Sequence, residues 1–163
     1  MSDVSSENNR LDKELVLRAF ITLLQDDYHA LEDEIGNIIN RVRDAEGPNV
    51  SRHSTHKIEG SWEANEQSRR LYDLGKDISE IEQYTHKASC NVVDVGALIQ
   101  YELDHQSGHF LMMPAQGGEI IPIEDYLVRV LTPMSPIGQQ FMQKKEGDTV
   151  VFNNNTYTIQ SIS

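Results

Sequence analysis

An apolar residue returns every three or four positions from Leu17 through Ile21, Leu24, Tyr28, Leu31, Ile35, Ile38 and Val42 to Ala45. The steps alternate without a break, a 3.5-residue repeat held for four heptads, and a repeat this regular predicts a helix that buries its seam against another helix. Leu11 to Ala45 contains no Pro and a single Gly, Gly36. At 1.5 Å per residue such a helix spans roughly 50 Å, where an average globular helix has about 11 to 12 residues. A second seam with the same spacing runs through Ala64, Gln67, Leu71, Leu74, Ile78, Ile81, Thr85 and Ala88. Between the two lie Gly47-Pro48, which ends a helix, and the polar, seamless stretch from Asn49 to Ser61. Two heptad helices joined by one reversal cover each other's seams only when antiparallel. Residues 11–88 are therefore expected to form an antiparallel coiled-coil hairpin with its tip within 46–63, preceded by a disordered N-terminus over 1–10.

After Cys90 the apolar period changes to two. Ala97 to Asp104 and His109 to Ala115 read as strands around a turn at His105-Gln106-Ser107-Gly108, and Gln116-Gly117-Gly118 as another turn. Tyr126 to Leu131, Thr149 to Phe152 and Thr156 to Ile162 are rich in β-branched and aromatic residues, with Asn153-Asn154-Asn155 turning the chain into the last. Ser135 as N-cap and Pro136 at the first helical position start a short helix. Residues 91–163 are thus read as a small α+β domain with an antiparallel sheet and a short helix.

The chain carries 26 Asp and Glu against 14 Lys and Arg, a net charge of −12. Unaided binding to duplex nucleic acid depends on Lys and Arg at the phosphates, so this excess of acid opposes it, and it opposes an anionic membrane surface equally. The charge is uneven. Residues 41–70 hold six cations (Arg41, Arg43, Arg52, Lys57, Arg69, Arg70) and five acids (Asp44, Glu46, Glu59, Glu63, Glu66), a net of +1 that leaves −13 for the remainder. The lone Cys90 permits no intramolecular disulfide, the polar, acidic N-terminal stretch has no apolar targeting core, and no run approaches the roughly 18 apolar residues of a membrane helix. A cytoplasmic protein is expected.

The long hairpin followed by a sheet domain carrying SPIGQQFMQKKEGDTVVF resembles the Gre-factor family of bacterial transcription elongation factors. Ser135, Pro136, Ile137 and Gly138 match the start of that family's C-terminal signature, and Lys145, Glu146, Gly147, Asp148 and the run Thr149 to Phe152 match its end. The resemblance implies an FKBP-like fold for the C-terminal domain and bacterial RNA polymerase as partner. On this reading the C-terminal domain, with Ser135 to Gly138 as docking candidates, sits at the rim of the secondary channel, and the hairpin reaches toward the active site. The factor would be a monomer with no catalytic group or cofactor of its own. In cleavage-stimulating members an Asp-x-x-Glu pair at the tip helps hold the polymerase's second Mg²⁺ and positions the water that cuts backtracked RNA, work suited to carboxylates because Mg²⁺ prefers oxygen.

Two alignments of the tip are possible, and each loses one acid. His56-Lys57-Ile58-Glu59 puts His56 in place of the Asp and keeps Glu59; Gly60-Ser61-Trp62-Glu63 puts Ser61 there and keeps Glu63. A neutral imidazole is a poor Mg²⁺ ligand, although it suits Mn²⁺ or Zn²⁺ better. The expected factor therefore modulates elongation and backtracking, either stimulating cleavage through Glu59 and the polymerase Mg²⁺ or occupying the channel without cleavage chemistry.

Several residues carry two readings. His53, His56 and Glu59 have spacings that can converge on a metal, or are exposed polar side chains of a loop. Trp62 caps the hairpin or touches polymerase. Arg41, Arg43, Arg52, Lys57, Arg69 and Arg70 contact nascent RNA, as basic residues on this part of the hairpin do in the family, or form interhelical ion pairs. From other classes, an FKBP-like domain can be a peptidyl-prolyl isomerase, which needs an aromatic-lined pocket built from Tyr101, Phe110, Tyr126, Phe141, Phe152 or Tyr157. A seam left unpaired would make a dimerising adaptor.

Overall fold

The computed structural model describes residues 11–44, 54–89 and 91–163. Two long helices come first, α1 (Lys13–Asp44) and α2 (Ser54–Glu82). The rest is a six-stranded sheet with one short helix: β1 (Leu98–Leu103), β2 (Gln106–Met112), β3 (Ile120–Ile123), β4 (Tyr126–Leu131), α3 (Pro136–Phe141), β5 (Thr149–Phe152) and β6 (Asn155–Ile162). The α+β class expected from the change of period is the class observed. The chain divides into two compact units, 22–79 and the remainder.

In the unit 22–79 the partner numbers on α2 fall as those on α1 rise. The ring of Tyr28 packs over Gly75, Gln67 reaches Glu34 (3.4 Å), Arg41 approaches Glu63 (3.9 Å), and Val42 sits against Gly60. That order is antiparallel. The seam is the shielded side, with Leu24 and Ile38 buried and Tyr28, Leu31, Ile35, Leu71 and Leu74 half-buried, while the charged positions between them face solvent. Gly75 and Gly60 have their place here for a steric reason, since a Cβ would lie 3.2 Å from the Tyr28 ring and 2.4 Å from Val42 Cγ2.

Helix α2 begins at Ser54, so Thr55 to Ser61, read as part of a polar loop, are helical. It ends at Glu82, before the last two expected seam positions, Thr85 and Ala88, where turns take over. Ala45 and Gly47-Pro48 lie outside the described residues.

The other unit contains the sheet, in strand order β3-β4-β2-β1-β6-β5. The sheet is mostly antiparallel, as expected, but β2 and β4 are parallel, with His109 beside Val128 and Phe110 beside Arg129. Parallel neighbours need a crossover, and β3 supplies it by lying outside β4 at the edge. Strand β3 escaped the reading of the sequence because Pro122 sits inside it. At an edge the missing N–H costs no ladder bond. The first hairpin turns on Asp104 and His105, both at positive φ (50° and 65°), so β2 starts at Gln106, not at the expected His109. Two residues with φ > 0 match the twist of the flanking strands. Asn153 and Asn154 repeat the device between β5 and β6, which begins at Asn155.

One face of the sheet and α3 enclose an apolar cluster of Ile99, Phe110, Met112, Leu131, Val150, Tyr157, Ile159 and Phe141. The rings meet edge-on or stacked, with Tyr101 4.3 Å from Phe110 and Phe141 5.3 Å from Phe110 between centroids. On the opposite face Leu98, Leu111, Val128 and Val130 are buried, as are Val16, Leu17 and Phe20 of α1 within the same unit. Lys87 closes the chain between helix and sheet: its ammonium donates to Asp94 (2.9 Å) and to the Val95 carbonyl, and this pairing holds the Asp94 carboxyl below the usual carboxylate range.

Candidate functional site

The acids expected at the tip lie on α2. Glu59 and Glu63 are exposed and four residues apart, hence on neighbouring turns of one flank. Glu63 faces Arg41 of α1 at 3.9 Å, a solvent-exposed pair that holds the carboxylate only loosely. His56 and Lys57 belong to the first turn of the helix, and their side chains, like Arg52 and His53, lie outside the described residues. The proposed convergence of His53, His56 and Glu59 lies there too. Among the described residues no group of three His, Cys, Asp or Glu could hold a metal ion.

Ser61 is exposed, and Trp62 is 73% exposed, which leaves most of the indole to solvent. Ile58, one turn before it, is also exposed. Of the basic side chains, Arg43 bonds Asn40 (3.0 Å) and Arg70 bonds Gln67 (3.1 Å), each within its own helix, and Arg69 is exposed. Among the described basic side chains, Arg41 reaches across to an acid of the other helix, Glu63.

The C-terminal motif has a structural account at each position. Ser135 Oγ accepts from the Gly138 amide (3.1 Å) and donates to the Thr132 carbonyl (2.7 Å), so it caps α3 and closes the preceding turn at once. Pro136 sits at the helix start, where its missing N–H costs nothing. Gly138 is buried with its Cα so close to the Thr132 carbonyl that a Cβ would lie 1.9 Å from that oxygen. In the second half of the motif, Asp148 accepts from the Lys145 amide (2.8 Å), Gly147 takes φ +85°, and Glu146 accepts from the Ile162 amide (2.8 Å). These bonds tie the turn before β5 to the end of β6.

Beside α3 the sheet face is uncovered and forms a pocket of about 590 Å³. Tyr101, Phe110, Phe152 and Tyr157 supply aromatic walls, Ile137 of α3 one apolar side, and Arg129 of β4 the single charge among the lining residues. Four of the six aromatic residues considered for the isomerase reading therefore meet here. Phe141 lies beneath in the core, and Tyr126 borders His109 instead. Burial pushes the Tyr101 hydroxyl above its ordinary pKa. Arg129 was not singled out in the sequence, because it reads as the outward member of an alternating strand. Only the pairing of β2 with β4 sets it beside Phe110.

His109 is the one buried polar residue among the described side chains, and its Nε2 has no hydrogen-bond partner. Burial lowers the His109 pKa from its ordinary value, so folding favours the neutral imidazole. The unfolded chain protonates it near pH 6.5 and then binds the extra proton, so stability falls as pH drops below about 6.5. Urea midpoints at pH 7.5, 6.5 and 5.5 should show this loss, at no more than about 1.4 kcal/mol per pH unit from this group. His109→Leu should flatten it; an unchanged slope would show that His109 does not cause it.

No helix among the described residues is long and apolar enough to cross a membrane. No family model matches the chain, and no curated protein matches it. Solved structures that the chain matches include the GreA factor homolog 1 (Gfh1) protein of Thermus thermophilus, 14% identical with a TM-score of 0.37 over 83% of this chain and 94% of that one. A structure of the transcription factor Gfh1 is 10% identical with a TM-score of 0.36 over 87% and 92%. The Thermus aquaticus Gfh1 is 11% identical with a TM-score of 0.34 over 89% and 94%. Similarity of this degree assigns neither family nor activity.

Proposed function

We propose that this chain is an accessory factor that binds bacterial RNA polymerase and acts through its secondary channel, modulating elongation and backtracked complexes without an active site of its own. The observation that carries the proposal is the antiparallel pairing of α1 and α2, with the carboxylates of Glu59 and Glu63 near the start of α2. Helix α1 has 32 residues, about 48 Å of reach at 1.5 Å per residue. The motif residues Ser135 to Gly138 and Lys145 to Phe152, which carry the resemblance to Gre factors, support the same reading from the other end of the sequence.

In this reading the near-neutral segment 41–70 allows the hairpin end to approach RNA and Mg²⁺ despite the acidic remainder. Arg41, Arg43, Arg69 and Arg70 offer exposed guanidinium groups toward the transcript. Glu59 or Glu63 supplies one oxygen ligand toward the polymerase Mg²⁺ where the cleavage factors supply two. One carboxylate holds a hard cation more weakly than a pair, so the chain occupies the channel with little or no stimulation of cleavage.

Purified protein should be retained by immobilised core RNA polymerase at micromolar concentration, and absence of retention would refute the proposal. Added to a stalled, backtracked complex, it should bind without rapid shortening of the RNA 3′ end. Efficient shortening that is lost in Glu59→Gln would show instead that one acid suffices and that the factor stimulates cleavage.

A further inference from the structure

The proposed function uses only the rim of the pocket beside α3, at Ser135 and Ile137, and gives its aromatic walls and Arg129 no role. Its volume, about 590 Å³, falls in the range of sites for small organic ligands, roughly 300 to 1,000 Å³. Its walls are aromatic. Tyr101 stacks on Phe110 at 4.3 Å and stands edge-on to Tyr157 at 5.2 Å, so a further planar ring entering the pocket continues a cluster whose geometry is already set. Gly108 allows this arrangement, since a Cβ there would lie 2.4 Å from the Tyr101 hydroxyl.

The polar part of the lining is specific. Arg129 is the only charged lining residue; it sits in a domain with far more acids than bases, yet among the described residues no carboxylate lies within ion-pair distance of it. In such an acidic setting an unpaired guanidinium at an aromatic pocket is poised for a planar anion, which it can hold through two parallel N–H bonds. Asn153, in the β5–β6 turn, and Asn155, the first residue of β6, also belong to the lining. No acid lines the pocket to repel such a ligand.

We infer that this pocket binds a small planar aromatic carboxylate, its ring among Tyr101, Phe110 and Phe152 and its carboxylate on Arg129. A free small molecule is the occupant because the cavity has the volume of one compact ligand and a single cation to pair with one anionic group. Ser135 and Ile137, docking candidates for polymerase, also line this pocket, so the two readings share a surface. Titration of the free chain with a small ligand reads the inference without polymerase, and retention on polymerase reads the other.

The test is a calorimetric or NMR titration of the full chain with 2-naphthoate, and with its uncharged isostere 2-naphthamide. Saturable binding of the carboxylate is expected, with NMR shifts at Tyr101, Phe110 and Arg129, and the amide should bind about tenfold more weakly. Arg129→Gln should bring the carboxylate down to the affinity of the amide and leave the amide unchanged. Arg129→Lys, which keeps the charge but not the fork, should fall between the two. Ile137→Trp, which fills the cavity, should weaken both ligands. Equal binding of carboxylate and amide, indifference to Arg129→Gln, or no binding at millimolar ligand would overturn the inference. So would preferential binding and isomerisation of a neutral Ala-Pro peptide, which would make the pocket an isomerase site.

Discussion

Gly138→Ala should unfold the sheet domain or cost it at least about 3 kcal/mol, the upper end of what overpacking usually does. The added methyl would stand 1.9 Å from the backbone oxygen of Thr132 and 2.7 Å from Ser135 Oγ. Neither can yield cheaply. The Thr132 carbonyl already accepts from Ser135 Oγ and from the Ser135 amide, and Ser135 Oγ caps the helix through the Gly138 amide. Moving either atom releases both the turn and the cap. The same substitution at Gly36 is the control, because nothing lies within 4 Å of the added Cβ. There the exposed helix should gain about 0.5 to 1 kcal/mol from the loss of glycine's chain entropy. Urea unfolding followed by amide NMR reads sheet and hairpin separately. A fall of under 1 kcal/mol for Gly138→Ala would mean that the motif's glycine is not required by packing.

Phe141→Ala should cost about 3 to 5 kcal/mol in the sheet domain, a large share of the 5 to 15 kcal/mol typical of whole proteins. Phe141 is fully buried and meets Phe110 at 5.3 Å and Tyr157 at 5.7 Å, edge-on in both cases. Its loss leaves a hole between α3 and the sheet that neither rigid neighbour fills. Phe141→Leu should cost less than half as much, since most of the volume is kept. The pocket should respond as well, because Phe110 and Tyr157 line it, so the alanine variant should lose affinity for an aromatic ligand in proportion to its loss of order. Equal effects of Leu and Ala would locate the energy in the ring contacts and not in the volume.

The helices were legible because a heptad seam is local. Leu17 to Val42 and Ala64 to Ile81 declare their partner by spacing alone, and burial of the seam is the reason the spacing exists. The start of α2 was not legible, since Ser54 to Ser61 has no apolar period and reads as a loop. The short helix α3 was read at its cap, because Ser135 and Pro136 act through bonds within three residues of themselves. Strand β3 was hidden by Pro122, whose cost depends on whether a neighbour lies on its N–H side. The turn after β1 was placed too late because Gly108 looks like a turn residue. It is instead the place where the Tyr101 ring needs room.

Glu59, Glu63 and the six cations could be found in sequence as a composition near a helix reversal, and the pairing of Arg41 with Glu63 follows from the antiparallel register. The pocket could not. Sequence alone determined two antiparallel heptad helices, an α+β domain after them and an uneven distribution of charge, all properties set by neighbours a few residues apart. Tertiary structure decided that β2 lies parallel to β4, which puts Arg129 beside Phe110 and gathers four aromatic residues around an open cavity. That pairing joins residues 19 positions apart, across an intervening strand, and its register rests on burial of both sheet faces together, which no local pattern encodes.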